Sequence, residues 1–173
     1  MVLRHDVWIE RSVRFRGGAN PNLTNDMSSY IPLISSGVAG PLGVLHLPRL
    51  WQKASLAAVG KLHSDYPALA PGYDTMVLGA LGISPEAFGA YINSTKPTYP
   101  QCEAWVLEQC GGKLDAAAIE QLNSDIRGYH HKDETRAAIL SANGIPDEGK
   151  ILDAVNLNNL DDWYGFHQEV IGG

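Results

Sequence analysis

The sequence predicts an all-α fold, a single domain of six or seven short helices with an irregular or strand-like N-terminal arm. Two observations predict it. Beyond about residue 47, apolar residues recur at the three- to four-residue spacing of amphipathic helices. Helix-start residues and glycine stops separate these segments from one another. No internal repeat or low-complexity tract interrupts this pattern.

Length and composition are those of one folded domain. A chain of 173 residues buries about 70% of its unfolded surface, and 45% hydrophobic with 18% charged residues argues against disorder. The net charge of −6 disfavours unspecific nucleic-acid binding. The N-terminus has no signal-peptide core, and prolines and glycines break the uncharged window at 31–48. We therefore expect a cytoplasmic protein with neither nucleic-acid nor membrane partners.

Residues 1–26 form a basic arm and linker, and residues 27–173 the helical domain. The first 16 residues hold four arginines against one aspartate and one glutamate. Apolar and polar residues alternate over 6–16, which indicates a strand. This strand either pairs across a homodimer or is a terminal tail. Residues 27–45 are apolar but punctuated by proline and glycine, and we expect an irregular segment packed over the domain.

The first helix is predicted from Pro48 to Leu62, because proline suits the first helical turn. One edge of this helix carries His46, Arg49 and Lys53 at positions i, i+3 and i+7. Such an edge could receive a carboxylate or phosphate, with arginine making the forked contact. The other interpretation is a solvated face whose long side chains lie on apolar surface, and the pattern alone favours it.

The loop after this helix adds Tyr66, Tyr73 and Asp74. Asp74 or Thr75 can cap the next helix, which we predict over 76–81. Asp74 has a second interpretation as a carboxylate that points into a site.

The following helices have clear start signals. Ser84 before Pro85 marks one, the Thr98-x-x-Gln101 capping box a second, and Asp115 a third. A further helix spans about 133–143 and ends at glycine.

The last helix should open at Asn156 or Asn158, with Asp161 or Asp162 facing solvent. Its predicted inner face consists of apolar residues and one histidine: Leu160, Trp163, Tyr164, His167, Val170 and Ile171. A histidine on an apolar face is either a core residue or an acid–base group lining a pocket.

Metal and cofactor signatures are weak. His130 and His131 with Glu134 offer a metal pair, but adjacent side chains on a helix point apart. The sequence contains no phosphate loop, dinucleotide fingerprint, nucleophile elbow or His-Glu-x-x-His motif. Cys102 and Cys110, about 12 Å apart if one helix holds both, are too distant for a disulfide. We expect no metal, no cofactor and two reduced thiols.

The run His46-Leu-Pro-Arg-Leu-Trp-Gln-Lys53, followed by Gly60-Lys-Leu, Tyr66 and a later aspartate, resembles bacterial proteins of the domain-of-unknown-function 5069 family. The tail from Leu157 to His167 is similar to the ending of longer members. The resemblance spans roughly residues 27–171 and departs after Tyr66, where the segment leading to Asp74 differs. It implies a small, mainly helical, bacterial cytoplasmic protein and brings no established activity.

These residues predict a small cofactor-independent enzyme, an isomerase, lyase or hydrolase, acting on a small anionic polar metabolite. Arg49 and Lys53 would hold the anion, while Tyr73 or Tyr66 would partner the acid–base group. That group would be His46 or His167, oriented by Asp74. The alternative is a non-catalytic ligand-binding or protein-interaction module. A shared concave pocket favours the enzyme, and an exposed flat patch favours the module.

Overall fold

The computed structural model describes residues 28–172, which contain seven α-helices and a short π-helix. The helices are α1 (Leu47–Ala58), α2 (Tyr73–Leu81), α3 (Pro85–Thr95), α4 (Tyr99–Gln109), α5 (Ala116–Gly128), α6 (Asp133–Ala142) and α7 (Ala154–Phe166), and the π-helix is His167–Ile171. Across the described range β-pairing is limited to three isolated bridges. The all-α prediction is confirmed. The predicted arm, residues 1–26, lies outside the described residues.

Helix α1 begins at the predicted place but ends earlier than expected. Leu47, Leu50 and Ala54 bury its apolar face. Gly60 adopts a φ of +67°, a left-handed conformation that terminates helices. The Lys61 amide then donates to the Leu56 carbonyl at 2.8 Å. The prediction that this helix reaches residue 62 is therefore wrong, because the apolar period continued past the glycine stop.

Helix α2 starts three residues before the predicted position, with Gly72 as its N-cap. The Thr75 hydroxyl accepts from the Gly72 amide at 3.2 Å, so the predicted helix-start role of Thr75 is partly right. Asp74 instead lies in the first turn and its side chain is buried. The prediction that Asp74 caps this helix is therefore wrong, and its other interpretation, a carboxylate that points into a site, remains.

The middle helices begin as predicted. Ser84 Oγ accepts from the Ala87 amide at 3.1 Å. Asp115 Oδ1 accepts from two amides at the start of α5, at 3.0 and 3.2 Å. Gln101 Oε1 accepts from the Thr98 amide at 2.9 Å. Side chains near in sequence satisfy these amide groups, which is why the helix starts could be predicted.

Three predictions for the last helix are wrong in whole or in part: its first residue, its inner face and the exposure of Asp162. Its N-cap is Asp153, which accepts from the Asn156 amide at 2.8 Å. Most of the predicted inner face points outward, since Trp163 is 56% exposed and Val170 66% exposed, whereas Leu160 packs against the smaller apolar cluster. Of the two aspartates of which one was expected to face solvent, Asp161 is exposed but Asp162 is only 2% exposed. An aspartate can be buried here because the guanidinium of Arg49, on α1, pairs with its carboxylate.

The core lies among α1 to α5, with a smaller apolar cluster between α6 and α7. Leu47, Leu50 and Phe88 are fully buried in the main core. Both cysteines are free, as predicted. Within the described part of the chain, no single helix is long and apolar enough to cross a membrane. Helices α2 and α3 together, bent by 94°, pass that test by length and composition only.

Candidate functional site

A cavity of about 420 Å³ opens where the start of α1 and the start of α2 meet α7. We call it the main cavity. Six of the seven site residues predicted from the sequence line it: His46, Arg49, Lys53, Tyr66, Tyr73 and Asp74. The structure therefore brings together the basic edge of α1 and the loop that follows it. This convergence is the geometry expected of a pocket rather than of a flat patch.

Asp74 is the central hydrogen-bond acceptor of the cavity wall. Its Oδ1 lies 2.7 Å from His46 Nε2, and its Oδ2 lies 2.7 Å from Lys53 Nζ. The Ala70 amide also donates to Oδ2, at 2.7 Å. All three of His46, Lys53 and Asp74 are buried. Asp74 thus fixes the positions of an imidazole and an ammonium group at once.

The pKa of Asp74 is lowered from its ordinary value. Burial opposes ionisation, but the hydrogen bond from His46 and the charge of Lys53 outweigh it. An ionised carboxylate can only accept hydrogen bonds, so His46 Nε2 carries the proton. The remaining nitrogen, Nδ1, is then the one that can take up a proton.

The pKa of His46 is also lowered, and burial is the main cause. The hydrogen bond and charge of Asp74 act in the opposite direction without reversing it. His46 is therefore a neutral imidazole at pH 7, the form required of a general base. Its Nδ1 is buried and has no hydrogen-bond partner among the described residues.

The backbone of His46 adopts a φ of +66° at the N-cap of α1. This left-handed conformation is uncommon outside glycine, although histidine, asparagine and aspartate adopt it more often than others. Such strain is found more often at functional sites than elsewhere. Here it occurs at the residue whose ring is hydrogen-bonded to Asp74.

Arg49 joins three parts of the chain below the cavity. Its guanidinium donates to both carboxylate oxygens of Asp162, at 2.6 and 2.9 Å. It also donates to the carbonyls of Pro32 and Ile34, at 2.8 and 2.9 Å. The irregular segment before α1 is thereby held against α1 and α7. The charge of Arg49 is balanced within the protein.

The hydroxyl groups of the two predicted tyrosines are both hydrogen-bonded to other residues of the chain. Tyr66 donates to Asp162 Oδ1 at 3.0 Å, and Tyr73 donates to the Ile126 carbonyl at 2.9 Å. Burial raises the pKa of each phenol, and the charge of Asp162 raises that of Tyr66 further. Both are therefore protonated donors. The ring of Tyr73 packs against the ring of His46, with 5.2 Å between the ring centroids.

Sequence reasoning missed part of the opposite wall. Tyr129, His131 and Asn158 line the cavity, and His131 Nε2 lies 2.7 Å from Asn158 Oδ1. The sequence indicates His131 only as half of a possible metal pair. The described residues contain no group of three or more metal-binding side chains.

His167, the seventh predicted residue, does not line the main cavity. It is exposed at the junction of α7 and the π-helix. The prediction assumed that α7 buried the face containing His167, and the structure shows that face in solvent. His167 and His46 are therefore not alternatives for the same position.

Negative charge exceeds positive charge in the cavity lining. Four carboxylates line it against Arg49 and Lys53. Asp74 and Asp162 pair with those two cations, which leaves Asp65 and Asp161. Burial and the neighbouring charge of Asp162 raise the pKa of Asp161.

The family model of a domain of unknown function, DUF5069, matches residues 36–162. No curated protein and no solved structure matches the chain. The matched range includes every residue that lines the main cavity and excludes His167.

Proposed function

The chain belongs to the DUF5069 family, and on that premise we propose that the main cavity is the active site of a small acid–base enzyme. Its substrate is a small polar metabolite, and its own side chains move the proton. The observation that carries the proposal is the buried His46–Asp74 pair, in which His46 is neutral and has one ring nitrogen unpartnered within the described range.

Asp74 and His46 have distinct roles in this proposal. Asp74 fixes the tautomer and the orientation of the imidazole through the 2.7 Å bond to Nε2. His46 Nδ1 removes a proton from the substrate and returns it at a later step. The rising positive charge on the ring is stabilised by the ionised carboxylate. Isomerases, lyases and hydrolases all use such a base.

Lys53 is the group best placed to hold a substrate oxygen. An ammonium group has three N–H donors, and one of them is directed at Asp74 Oδ2. The other two can donate to a hydroxyl, carbonyl or carboxylate oxygen in the cavity. Lys53 and His46 share Asp74 as a partner and both line the main cavity, so a substrate held by Lys53 is in the same cavity as the imidazole.

The proposal gives Arg49, Tyr66 and Tyr73 positioning roles. Arg49 and Tyr66 are hydrogen-bonded to Asp162, and the Tyr73 hydroxyl to a backbone carbonyl. An anion held by both Arg49 and Lys53 stays a prediction. The charge balance of the cavity weighs against a substrate with several negative charges, because each cation already has a carboxylate partner.

A second candidate, the interaction module, is favoured by one observation. Trp163, Val170 and Ile171 are exposed near the C-terminus, and exposed apolar residues of this kind are typical of interfaces. The partner we would test is a second copy of the chain, by comparing the mass of the wild type and a Trp163→Ser variant in solution by light scattering. The homodimer, the bacterial origin and the cytoplasmic location stay predictions.

The enzyme proposal is tested in two stages. Thermal-shift screening of the whole chain against a metabolite library identifies ligands, and NMR then follows turnover of each hit. His46→Asn is the informative variant, because asparagine tolerates the left-handed backbone. We expect it to lower turnover by about a hundredfold or more.

The matched control is His130→Asn, since His130 is exposed and outside the cavity lining. It should retain full activity. Turnover that survives His46→Asn would exclude His46 as the base and refute the proposed function.

A further inference from the structure

A second cavity of about 320 Å³ adjoins the main cavity. We call it the outer cavity. The two share Asp65, Tyr66 and Asp161 as lining residues. The far wall of the outer cavity comes from the end of α7 and the π-helix, through Tyr164, Gln168 and Glu169. The two cavities therefore adjoin along this shared lining, with His46 in the wall of the main cavity and Glu169 in the wall of the outer cavity.

The lining of the outer cavity is acidic. Asp65, Asp161 and Glu169 line it, and neither lysine nor arginine does. His63 lies between two of these carboxylates, 3.8 Å from Asp65 and 3.9 Å from Glu169. No hydrogen bond or ion pair to Asp161 is found in the described range. At Asp161, a positively charged nitrogen would therefore find carboxylate oxygens that are not already hydrogen-bonded or ion-paired to a described residue.

The part of the main cavity around His46 and Lys53 favours a different chemical group. His46 is 3% exposed, lines the main cavity and has an unpartnered Nδ1. Lys53, beside it, has two N–H groups beyond the one directed at Asp74. Buried polar groups rarely stay without partners. This part of the cavity is therefore matched to an oxygen-bearing group that accepts from Lys53 and gives a proton to His46.

We propose that the two cavities form one binding site for an amino alcohol or similar metabolite, with its oxygen beside Lys53 and its positively charged nitrogen between Asp161 and Asp65. This inference rests on the proposed function, since it uses the same cavity, and it adds the class of substrate. Asp161 is the residue that selects the cationic end. Tyr66 is part of the lining that the two cavities share.

The probes are three linear molecules that share a hydroxyl end and differ at the other end: an amino alcohol, a diol and a hydroxy acid. Each is used at four and at six carbons, so that chain length is varied separately from charge. Backbone-amide NMR titration of the whole chain reports the affinity and the location of each probe. Probes are added up to about 10 mM, since fragments of this size bind weakly.

We expect the amino alcohol to bind tightest and to shift amides in both cavities. Asp161→Asn should weaken its binding by about fivefold, the scale of a partly exposed ion pair. Asp125→Asn is the matched control, because Asp125 is an exposed carboxylate on α5 outside both cavities. It should leave the affinity unchanged.

Three results would overturn the inference. The first is a diol or hydroxy acid that binds as tightly as the amino alcohol or more tightly. The second is an affinity for the amino alcohol that is the same in Asp161→Asn as in the wild type. The third is the absence of amide shifts with every probe. The first two leave the proposed function intact, because they concern only the positively charged end of the substrate and not His46. The proposed function fails separately, through turnover that survives His46→Asn.

Discussion

Arg49 of α1 and Asp162 of α7, which lie 113 residues apart in the chain, form a two-point ion pair with N–O distances of 2.6 and 2.9 Å. Both side chains are buried. This pair closes the domain around the main cavity and places α7 against α1. It also explains why the basic edge of α1 does not face solvent.

Removing one member of this pair should destabilise the domain strongly. Asp162→Ala leaves the Arg49 charge buried and unpaired, and we expect a loss of about 3–5 kcal/mol in the free energy of unfolding. Urea unfolding of the two proteins measures it. Asp125→Ala is the control, since Asp125 is an exposed aspartate on α5, and it should change stability by about 0.5 kcal/mol or less. Equal losses in the two variants would contradict the account.

Stability should fall as the solution is acidified, and His46 should account for part of the fall. Its pKa is lowered in the folded state from an ordinary value of 6.5, so the unfolded chain binds the proton first. The contribution of His46 to the free energy of unfolding is therefore fully present above about pH 6.5. It is lost as the pH falls toward the pKa of His46 in the folded state. Asp74, whose pKa is also lowered, adds a further loss under more acidic conditions.

The check is urea unfolding of the wild type and His46→Asn at several pH values between about 8 and 5. The stability difference between the two proteins should shrink as the pH falls. Ser124→Ala, which changes an exposed residue of α5 without removing a titratable group, should keep a constant difference. A constant difference for His46→Asn as well would mean that burial does not lower the pKa of His46.

The left-handed backbone of His46 gives a third prediction. His46→Gly and His46→Ala both lose the hydrogen bond to Asp74, but only glycine adopts a φ of +66° without strain. His46→Gly should therefore be about 1 kcal/mol more stable than His46→Ala, the penalty of left-handed geometry for a residue with a Cβ. Thermal unfolding compares them. An alanine variant as stable as the glycine variant would show that the backbone relaxes there.

The parts of the fold that could be predicted from the sequence are those fixed by near neighbours. The cap residue Ser84 accepts from an amide three residues along, and Asp115 caps its own helix. The grouping of His46, Arg49 and Lys53 followed from helical spacing. Asp74 and Tyr66 joined them through the short loop that connects α1 with α2.

The features that could not be predicted depend on contacts between residues that are distant in the sequence. Nothing near Asp162 in the sequence indicates a partner 113 residues away, so an aspartate on α7 was assigned to solvent. That assignment placed His167 on a buried face, and the structure exposes it. Tyr129 and His131 were missed for the same reason, because a turn after α5 contributes to the cavity only through packing against α2 and α7.

The protonation state of His46 is the central claim, and nitrogen NMR of the histidine side chains measures it directly. His46→Asn identifies the ring signals in the whole chain, which are then followed through a pH titration. The account predicts a neutral ring at pH 7 with the proton on Nε2, a pKa below 6.5 and an altered tautomer or pKa in Asp74→Asn. A charged His46 at pH 7, or a neutral ring with its proton on Nδ1, would contradict it.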